Sequence, residues 1–241
     1  MTTDYIAFAD DVTQLTHGRY NYKYARQNTE HAIRHINNYE RQWKIKTNKS
    51  KFNIIPISRQ LTRDVKIDDD TIPYSTNGKV LGLNFSTTSI VTHVTNRTNI
   101  ARSNLTRLQR FRNLNATNKT RLYTAIVRSS LTYPPIPLNT VSKSSFQKLQ
   151  KIQNKALRFI TNTSLSDRVS SESLHRQTNL PPINIYIHRL AKKSWNRFRT
   201  NLPDSYAGLR LDRLQDNRRH NSRFPSSRLA AEGPTPTPIY V

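Results

Sequence analysis

Apolar residues follow two different spacings along the chain. They form short strand-like runs in the N-terminal part and recur at helical spacing in the central part. Residues 5–8 and 12–15 are two such runs, rich in aromatic or β-branched side chains, and only Ala9, Asp10 and Asp11 separate them. This arrangement predicts a tight hairpin with two carboxylates at its tip.

The stretch from Tyr22 to Trp43 predicts the first long helix. Its apolar residues recur near a period of 3.6 residues, and it contains neither proline nor glycine. We expect its apolar face to pack beneath the sheet that the hairpin forms.

A second hairpin is predicted around residues 65–74, where apolar positions flank Asp68, Asp69 and Asp70. The three aspartates are a candidate metal site. However, three consecutive side chains at a tip point in different directions, which favours a solvated turn. The next apolar segment, residues 79–85, predicts one strand that Gly82 bends, because glycine inside a strand often marks a bend or a close backbone approach.

From Thr98 onward the spacing is helical. The first helix is expected to bury one face that ends at Phe111, and Asn115 is the expected N-cap of a second helix, which prolines after Leu131 terminate. Ser142 or Ser144 would cap a third helix. A short helix is predicted at residues 174–180, and another long one follows Pro181 and Pro182.

These patterns predict an α+β fold in which a small antiparallel sheet with one packing helix precedes an all-helical bundle. The expected domains are residues 1–95 and 96–200. Residues 201–241 are rich in Arg, Ser and Pro and lack the apolar content of a core, so we expect a disordered basic tail.

Composition narrows the class of protein. The apolar fraction is 34%, below the usual value of about 45–50%. The chain has no cysteine, which excludes disulfides and thiolate metal sites. The first residues do not resemble a signal peptide, and no apolar run is long enough to cross a membrane. We therefore expect a nuclear or cytoplasmic protein that is not secreted.

Charge is the strongest compositional feature. Lys and Arg number 39 against 15 Asp and Glu, for a formal net charge of +24. Residues 1–100 contribute +5 and residues 101–241 contribute +19. Between Asp70 and Asp167 the sequence has 14 Lys or Arg and no acidic residue. A surface of one sign attracts polyanions, so nucleic acid is the expected partner. A ribosomal-type basic protein or a compositional bias would also explain the charge.

The basic residues of the predicted helices fall between the apolar positions, so we expect them on the outer faces. Exposed cations of this kind contact phosphates and position a duplex without reading its sequence. The expected nucleic-acid-binding residues are Arg107, Arg110, Arg112, Lys119, Arg121, Lys148, Lys151, Lys155 and Arg158, and Arg128 lies on the same predicted faces.

The Asp10–Asp11 pair is the main candidate for chemistry. Adjacent carboxylates repel each other, and hard divalent ions such as Mg²⁺ bind through carboxylates and substrate phosphates. Two such ions about 4 Å apart can stabilise the attacking and leaving oxygens of a phosphoryl transfer. The alternative is an ordinary turn, because aspartate is a common turn residue.

Five short motifs occur in a fixed order over residues 4–200. They are Phe-Ala-Asp-Asp at 8–11; Trp-Lys-Ile at 43–45 with Asn48 and Lys51; Val-Leu-Gly-Leu at 80–83; Lys119, Leu122 and Tyr123 followed by Leu-Thr-Tyr at 131–133; and Leu-Gln at 149–150 with Ile-Gln-Asn-Lys at 152–155 and Leu-Arg at 157–158. Together they resemble the C-terminal half of the reverse transcriptase of jockey-like non-LTR retrotransposons.

The resemblance implies a partial palm with its catalytic hairpin, followed by a helical thumb. Asp10 and Asp11 would be catalytic and would hold Mg²⁺, with two ions in the complete enzyme. Lys51 would neutralise phosphate charge, and Leu81 and Gly82 would belong to the primer grip. The expected partners are an RNA template with a DNA primer, and a deoxynucleotide substrate.

The sequence also departs from the family. Val80 stands where many relatives have Tyr, Asn84 stands where Asp is frequent, and residues 133–138 lack an expected Trp. The family's fingers, endonuclease and first half of the palm, with a further metal-binding carboxylate, have no counterpart in these residues. We therefore expect this chain alone to be inactive. The alternative function is that of a non-catalytic, basic nucleic-acid-binding remnant of a transposon.

Overall fold

A computed structural model describes residues 3–8, 11–16, 22–55, 64–67, 70–86 and 90–201. The chain divides into two compact units, Met1–Ser89 (unit 1) and Ile90–Val241 (unit 2). Unit 1 contains short hairpins and one long helix, and unit 2 is helical in its described part. The α+β class is therefore confirmed.

The first hairpin of unit 1 pairs β1 (Thr3–Phe8) with β2 (Asp11–Thr16). The strands are antiparallel, and the register runs without interruption from Thr3 opposite Thr16 to Phe8 opposite Asp11. The predicted hairpin is confirmed. Ala9 and Asp10 lie outside the described residues.

Helix α1 (Tyr22–Trp43) has the predicted bounds. Its buried Ile33 packs with Val65 and Ile72 of the second hairpin, with Phe52 and Ile54 at the edge of this small core. Helix α1 also contacts β2. The core contact of α1 described by the structure is thus with the second hairpin, whereas we had expected it beneath the first.

The second hairpin pairs β3 (Val65–Ile67) with β4 (Asp70–Ile72), as predicted. Asp68 and Asp69 lie outside the described residues, and the backbone of Asp70 pairs with Ile67.

The prediction of one bent strand at residues 79–85 is wrong. The segment is a third hairpin, in which β5 (Asn77–Val80) pairs with β6 (Leu83–Ser86). Leu81 and Gly82 connect the strands with φ angles of 46° and 80°. Two successive positive φ angles are typical of the type I′ turn, whose twist matches that of the flanking strands. Gly82 adopts such a conformation without steric cost.

Unit 2 begins with α2 (Val91–Leu108), which starts about two turns before the predicted position at Thr98. Its buried face includes His93 and Thr98 beside apolar residues. Since the first two turns bury polar side chains, the apolar spacing becomes visible in the sequence only from Ala101.

The next helix has the predicted N-cap, because the Asn115 side chain accepts a hydrogen bond from the Asn118 N–H at 2.9 Å. It consists of α3 (Ala116–Leu122), a π-helical segment (Tyr123–Arg128) and α4 (Ser129–Leu131). The prolines that follow Leu131 do not lie in a loop throughout, since Pro135–Leu138 form the short helix α5.

Three helices complete the described part of unit 2: α6 (Lys143–Thr161), α7 (Ser171–Thr178) and α8 (Ile183–Asn201). Of the two predicted caps of α6, Ser142 is the one used, and its hydroxyl accepts from the Ser145 N–H. Helix α6 contacts α2, α3, α7 and α8. Its fully buried residues, among them Leu149, Ala156 and Leu157, therefore lie at the centre of the apolar core.

The predicted tail lies outside the described residues apart from Asn201. No helix in the described part of the chain is long and apolar enough to cross a membrane.

Candidate nucleic-acid interface

Of the two aspartates predicted at the tip of the first hairpin, the structure describes Asp11. This residue begins β2 opposite Phe8, and its side chain is exposed. Asp10 lies outside the described residues. Among the residues that are described, no group of three or more His, Cys, Asp or Glu side chains could hold a metal ion. The carboxylate of Asp11 is the hard oxygen donor that Mg²⁺ prefers, and it is open to solvent.

Lys51 lies in the short 3₁₀ turn Lys49–Lys51, and its side chain is exposed. The Asn48 side chain caps this turn by accepting from the Ser50 N–H at 3.2 Å. The next residue, Phe52, packs against the small core of unit 1. The backbone at Lys51 is therefore anchored while its ammonium group is free to meet an anion.

Leu81 and Gly82, the predicted primer-grip residues, form the turn of the third hairpin. Leu81 is exposed at this turn. The proposed primer-grip residues therefore lie at a hairpin tip, where a strand was expected.

A row of three lysines follows one face of α6. Lys148, Lys151 and Lys155 are spaced by three and four residues, which places them on one side of a helix, and all three are exposed. We call these residues the α6 lysine row. Arg107, Arg110, Arg112 and Arg121 are also exposed. The predicted outward position of these seven cations is confirmed.

The prediction is wrong for Lys119, which is fully buried. Its Nζ donates to Asn162 Oδ1 at 2.5 Å and lies 5.2 Å from the centre of the Phe159 ring. The position was foreseeable from helix phase alone, because Lys119 lies four residues before the buried Tyr123, which itself precedes the buried Val127. Lys119 therefore joins α3 to the end of α6 and does not lie on an outer face.

Arg158 and Arg128 are half-buried, so they too differ from the predicted outer-face residues. The Arg158 guanidinium donates to the carbonyl oxygens of Ser164 and Val169, each at 2.8 Å. The Arg128 guanidinium carbon lies 4.1 Å from the centre of the Tyr186 ring. Both side chains hold elements of unit 2 together.

The described part of unit 2 contains two carboxylates, Asp167 and Glu172, and each has a local partner. Asp167 Oδ2 accepts from the Ser164 N–H, and Glu172 Oε1 pairs with Arg176 in the same helix. Neither is paired with the α6 lysine row. The exposed cations of the described helices therefore create a field of one sign, which favours a polyanion.

A buried hydrogen-bond network joins α6, α7 and α8, and it was not visible in the sequence. His175 Nδ1 donates to the Leu180 carbonyl oxygen at 2.7 Å, so its Nε2 must accept from the Gln150 amide at 3.0 Å. The same amide donates to Asn154 Oδ1 at 2.7 Å and accepts from the Ile183 N–H at 2.9 Å. If His175 were protonated, its Nε2–H would face the N–H of the Gln150 amide, so two donors would meet and this hydrogen bond would be lost.

We expect the stability of unit 2 to fall as the pH drops from about 7 to about 5. Burial lowers the pKa of His175 below its ordinary value of 6.5. The unfolded chain therefore takes up a proton at a higher pH than the folded chain does. The stabilisation is complete above pH 6.5 and is lost as the pH falls through the folded pKa. Urea unfolding at the two pH values measures this change.

His93 contributes in the same direction, because burial also lowers its pKa. The pH-dependent loss should therefore shrink in His93→Gln and in His175→Gln, and it should shrink further in the double variant. Equal unfolding free energies of the wild-type chain at both pH values would contradict the prediction.

Comparisons of this chain with protein-family models, with curated proteins and with solved structures find no match.

Proposed function

We propose that this chain is the C-terminal palm-and-thumb part of an RNA-directed DNA polymerase of the jockey-like non-LTR type. One observation carries the proposal: a regular hairpin whose register ends at Phe8 and Asp11. The order of the following elements supports it, since α1 comes next and a helical unit with exposed cations follows. The sequence motifs of the resemblance fall on these same elements.

In this proposal the residues have separate roles. Asp10 and Asp11 would hold Mg²⁺, which when bound stabilises negative charge on the oxygens of the transferring phosphate. Lys51 places a cation on an anchored turn. The α6 lysine row and the exposed arginines of unit 2 contact the backbone of the template–primer duplex. The catalytic step needs the further carboxylate of the family's first palm half.

A non-catalytic nucleic-acid-binding protein is the second candidate. The distribution of charge favours it, because seven of the candidate cations of unit 2 are exposed and its two described carboxylates are engaged locally. This function requires neither a metal ion nor a nucleotide pocket.

The test uses a purified chain of these 241 residues and a fluorescent RNA–DNA hybrid. We expect tight binding that weakens steeply with salt, and no template-directed synthesis with Mg²⁺ or Mn²⁺. If the tip recruits metal, Mg²⁺ should strengthen binding, and Asp10→Ala should abolish this effect.

Asp69→Ala is the matched control, since it removes a carboxylate from the rival acidic hairpin. A Mg²⁺ effect that survives Asp10→Ala but disappears in Asp69→Ala would move the metal site to the second hairpin. Binding without any Mg²⁺ effect would favour the non-catalytic function. The absence of hybrid binding at low salt by a folded chain would reject both candidates.

A further inference from the structure

The turn between α2 and α3 is held by its own hydrogen bonds. Helix α2 ends at Leu108 and tightens into a 3₁₀ turn at Gln109–Phe111. The Leu114 N–H donates to the Phe111 carbonyl oxygen at 3.3 Å, and Arg112 Nε donates to Gln109 Oε1 at 3.0 Å. With the Asn115 cap at its far end, this turn has a defined shape before any partner binds.

Phe111 points away from the core, contrary to the sequence prediction that it continues the buried face of α2. Leu108 is 3% exposed, whereas Phe111 is 48% exposed. Helix α2 and its buried face end at Leu108, and Phe111 lies beyond that end, in the turn that leads to α3.

Three arginines lie close to Phe111 in the sequence. Arg110 and Arg112 are its chain neighbours, and Arg107 lies one helical turn before it. All three are exposed, and the nearest acidic residues in the sequence are Asp70 and Asp167. Neither the turn nor α2 or α3 therefore contains an acidic residue that could neutralise these arginines.

The combination selects a particular ligand chemistry. A flat aromatic ring offers a stacking surface to a base, and neighbouring guanidinium groups offer partners to the phosphates on either side. Paired bases inside a duplex are already stacked on each other and cannot cover the ring. An unpaired nucleotide has both a free base face and a phosphate charge.

We propose that the α2–α3 turn binds an unpaired nucleotide beside a duplex, with its base stacked on Phe111 and its phosphates on Arg107, Arg110 and Arg112. This inference rests on the nucleic-acid binding of the proposed function. To that function it adds that the ligand has a single-stranded part and that Phe111 contacts this part.

The experiment compares a blunt RNA–DNA hybrid with the same hybrid carrying a short single-stranded overhang, both titrated with the 241-residue chain. We expect the wild-type chain to bind the overhang form about tenfold more tightly. Phe111→Ala should lose this preference and keep its affinity for the blunt hybrid. Phe111→Trp should keep the preference, and its added fluorescence should be quenched by the overhang form alone.

Leu165→Ala is the control, because Leu165 is an exposed apolar side chain of the same unit, at 76% exposure, in a loop that contains Asp167. It should not change the preference. If Phe111→Ala binds both hybrids as the wild-type chain does, the stacking site is wrong while the proposed function stands. If Phe111→Ala weakens both hybrids equally, Phe111 contacts the duplex and the inference is also overturned. If the wild-type chain binds neither hybrid, the proposed function itself fails.

Discussion

Replacing Lys148, Lys151 and Lys155 together by glutamine is expected to weaken binding to an RNA–DNA hybrid by about 10- to 100-fold at low salt. The three ammonium groups lie on one exposed face of α6. Each one that contacts a phosphate releases a condensed counterion, so the slope of log affinity against log salt should flatten by about three. Glutamine keeps much of the side-chain length and the helix propensity, so the fold should not change.

A second triple variant separates a binding surface from bulk charge. Lys44, Lys46 and Lys79 are exposed in unit 1, and their replacement by glutamine removes the same total charge. If the α6 lysine row is the contact surface, this control should lose far less affinity and keep its salt slope. Equal losses of affinity in the two variants would show that net charge alone drives binding. The proposed role of α6 as a thumb-like contact surface for the hybrid would then be wrong.

The sequence predicted correctly the elements whose ends are marked by residues close to those ends. Helix α1 has the predicted ends, the first hairpin has Asp11 at the expected strand end, and Asn115 caps the expected helix. In each case neighbouring residues decide the conformation, through apolar spacing or a capping side chain. The position of Asp11 beside a hairpin tip was therefore accessible from sequence.

The wrong predictions share a different cause. Gly82 was expected to bend a strand, but the structure places it with Leu81 in a two-residue turn that joins two strands. Phe111 follows the core residues of α2 in helical phase, but α2 ends at Leu108 and Phe111 lies exposed in the turn that follows. Both outcomes depend on a conformational choice that the apolar pattern does not encode.

Lys119 shows the limit of treating residue type as a guide to exposure. A lysine is usually exposed, so the basic residues of the helices were assigned to their outer faces. The phase of Lys119 with Tyr123 and Val127 pointed inward, and packing followed that phase. Among the candidate residues, Arg107, Arg110, Arg112, Arg121 and the α6 lysine row keep the outward position that nucleic-acid binding requires.

The buried position of Lys119 leads to the second large expected effect, which concerns stability. Lys119→Glu should lower the free energy of unfolding of unit 2 by about 3–5 kcal/mol. A carboxylate there would face the acceptor Oδ1 of Asn162 and the face of the Phe159 ring, which also carries partial negative charge. It would also lie near the last turn of α6, whose free carbonyl groups favour a cation.

Lys119→Met is the matched variant, because methionine fills nearly the same volume without a charge. Its unfolding free energy should stay within about 1 kcal/mol of the wild-type value. The Asn162 side chain is exposed and can bond to water instead. Urea unfolding followed by the fluorescence of the buried Trp195 measures both variants, and Trp43→Phe in the background removes the signal of unit 1.

The pair of variants distinguishes two reasons for retaining a buried lysine. If Lys119→Met is as stable as the wild-type chain, the contacts of the ammonium group with Asn162, Phe159 and the end of α6 only offset the free-energy cost of burying its charge. If Lys119→Met loses as much stability as Lys119→Glu, the charge itself holds α3 to α6. If Lys119→Glu is as stable as the wild-type chain, the side chain reaches solvent and Lys119 returns to the set of possible phosphate contacts. The hybrid-binding assay then decides its role, because Lys119→Met should reduce the salt slope by about one only if Lys119 contacts a phosphate.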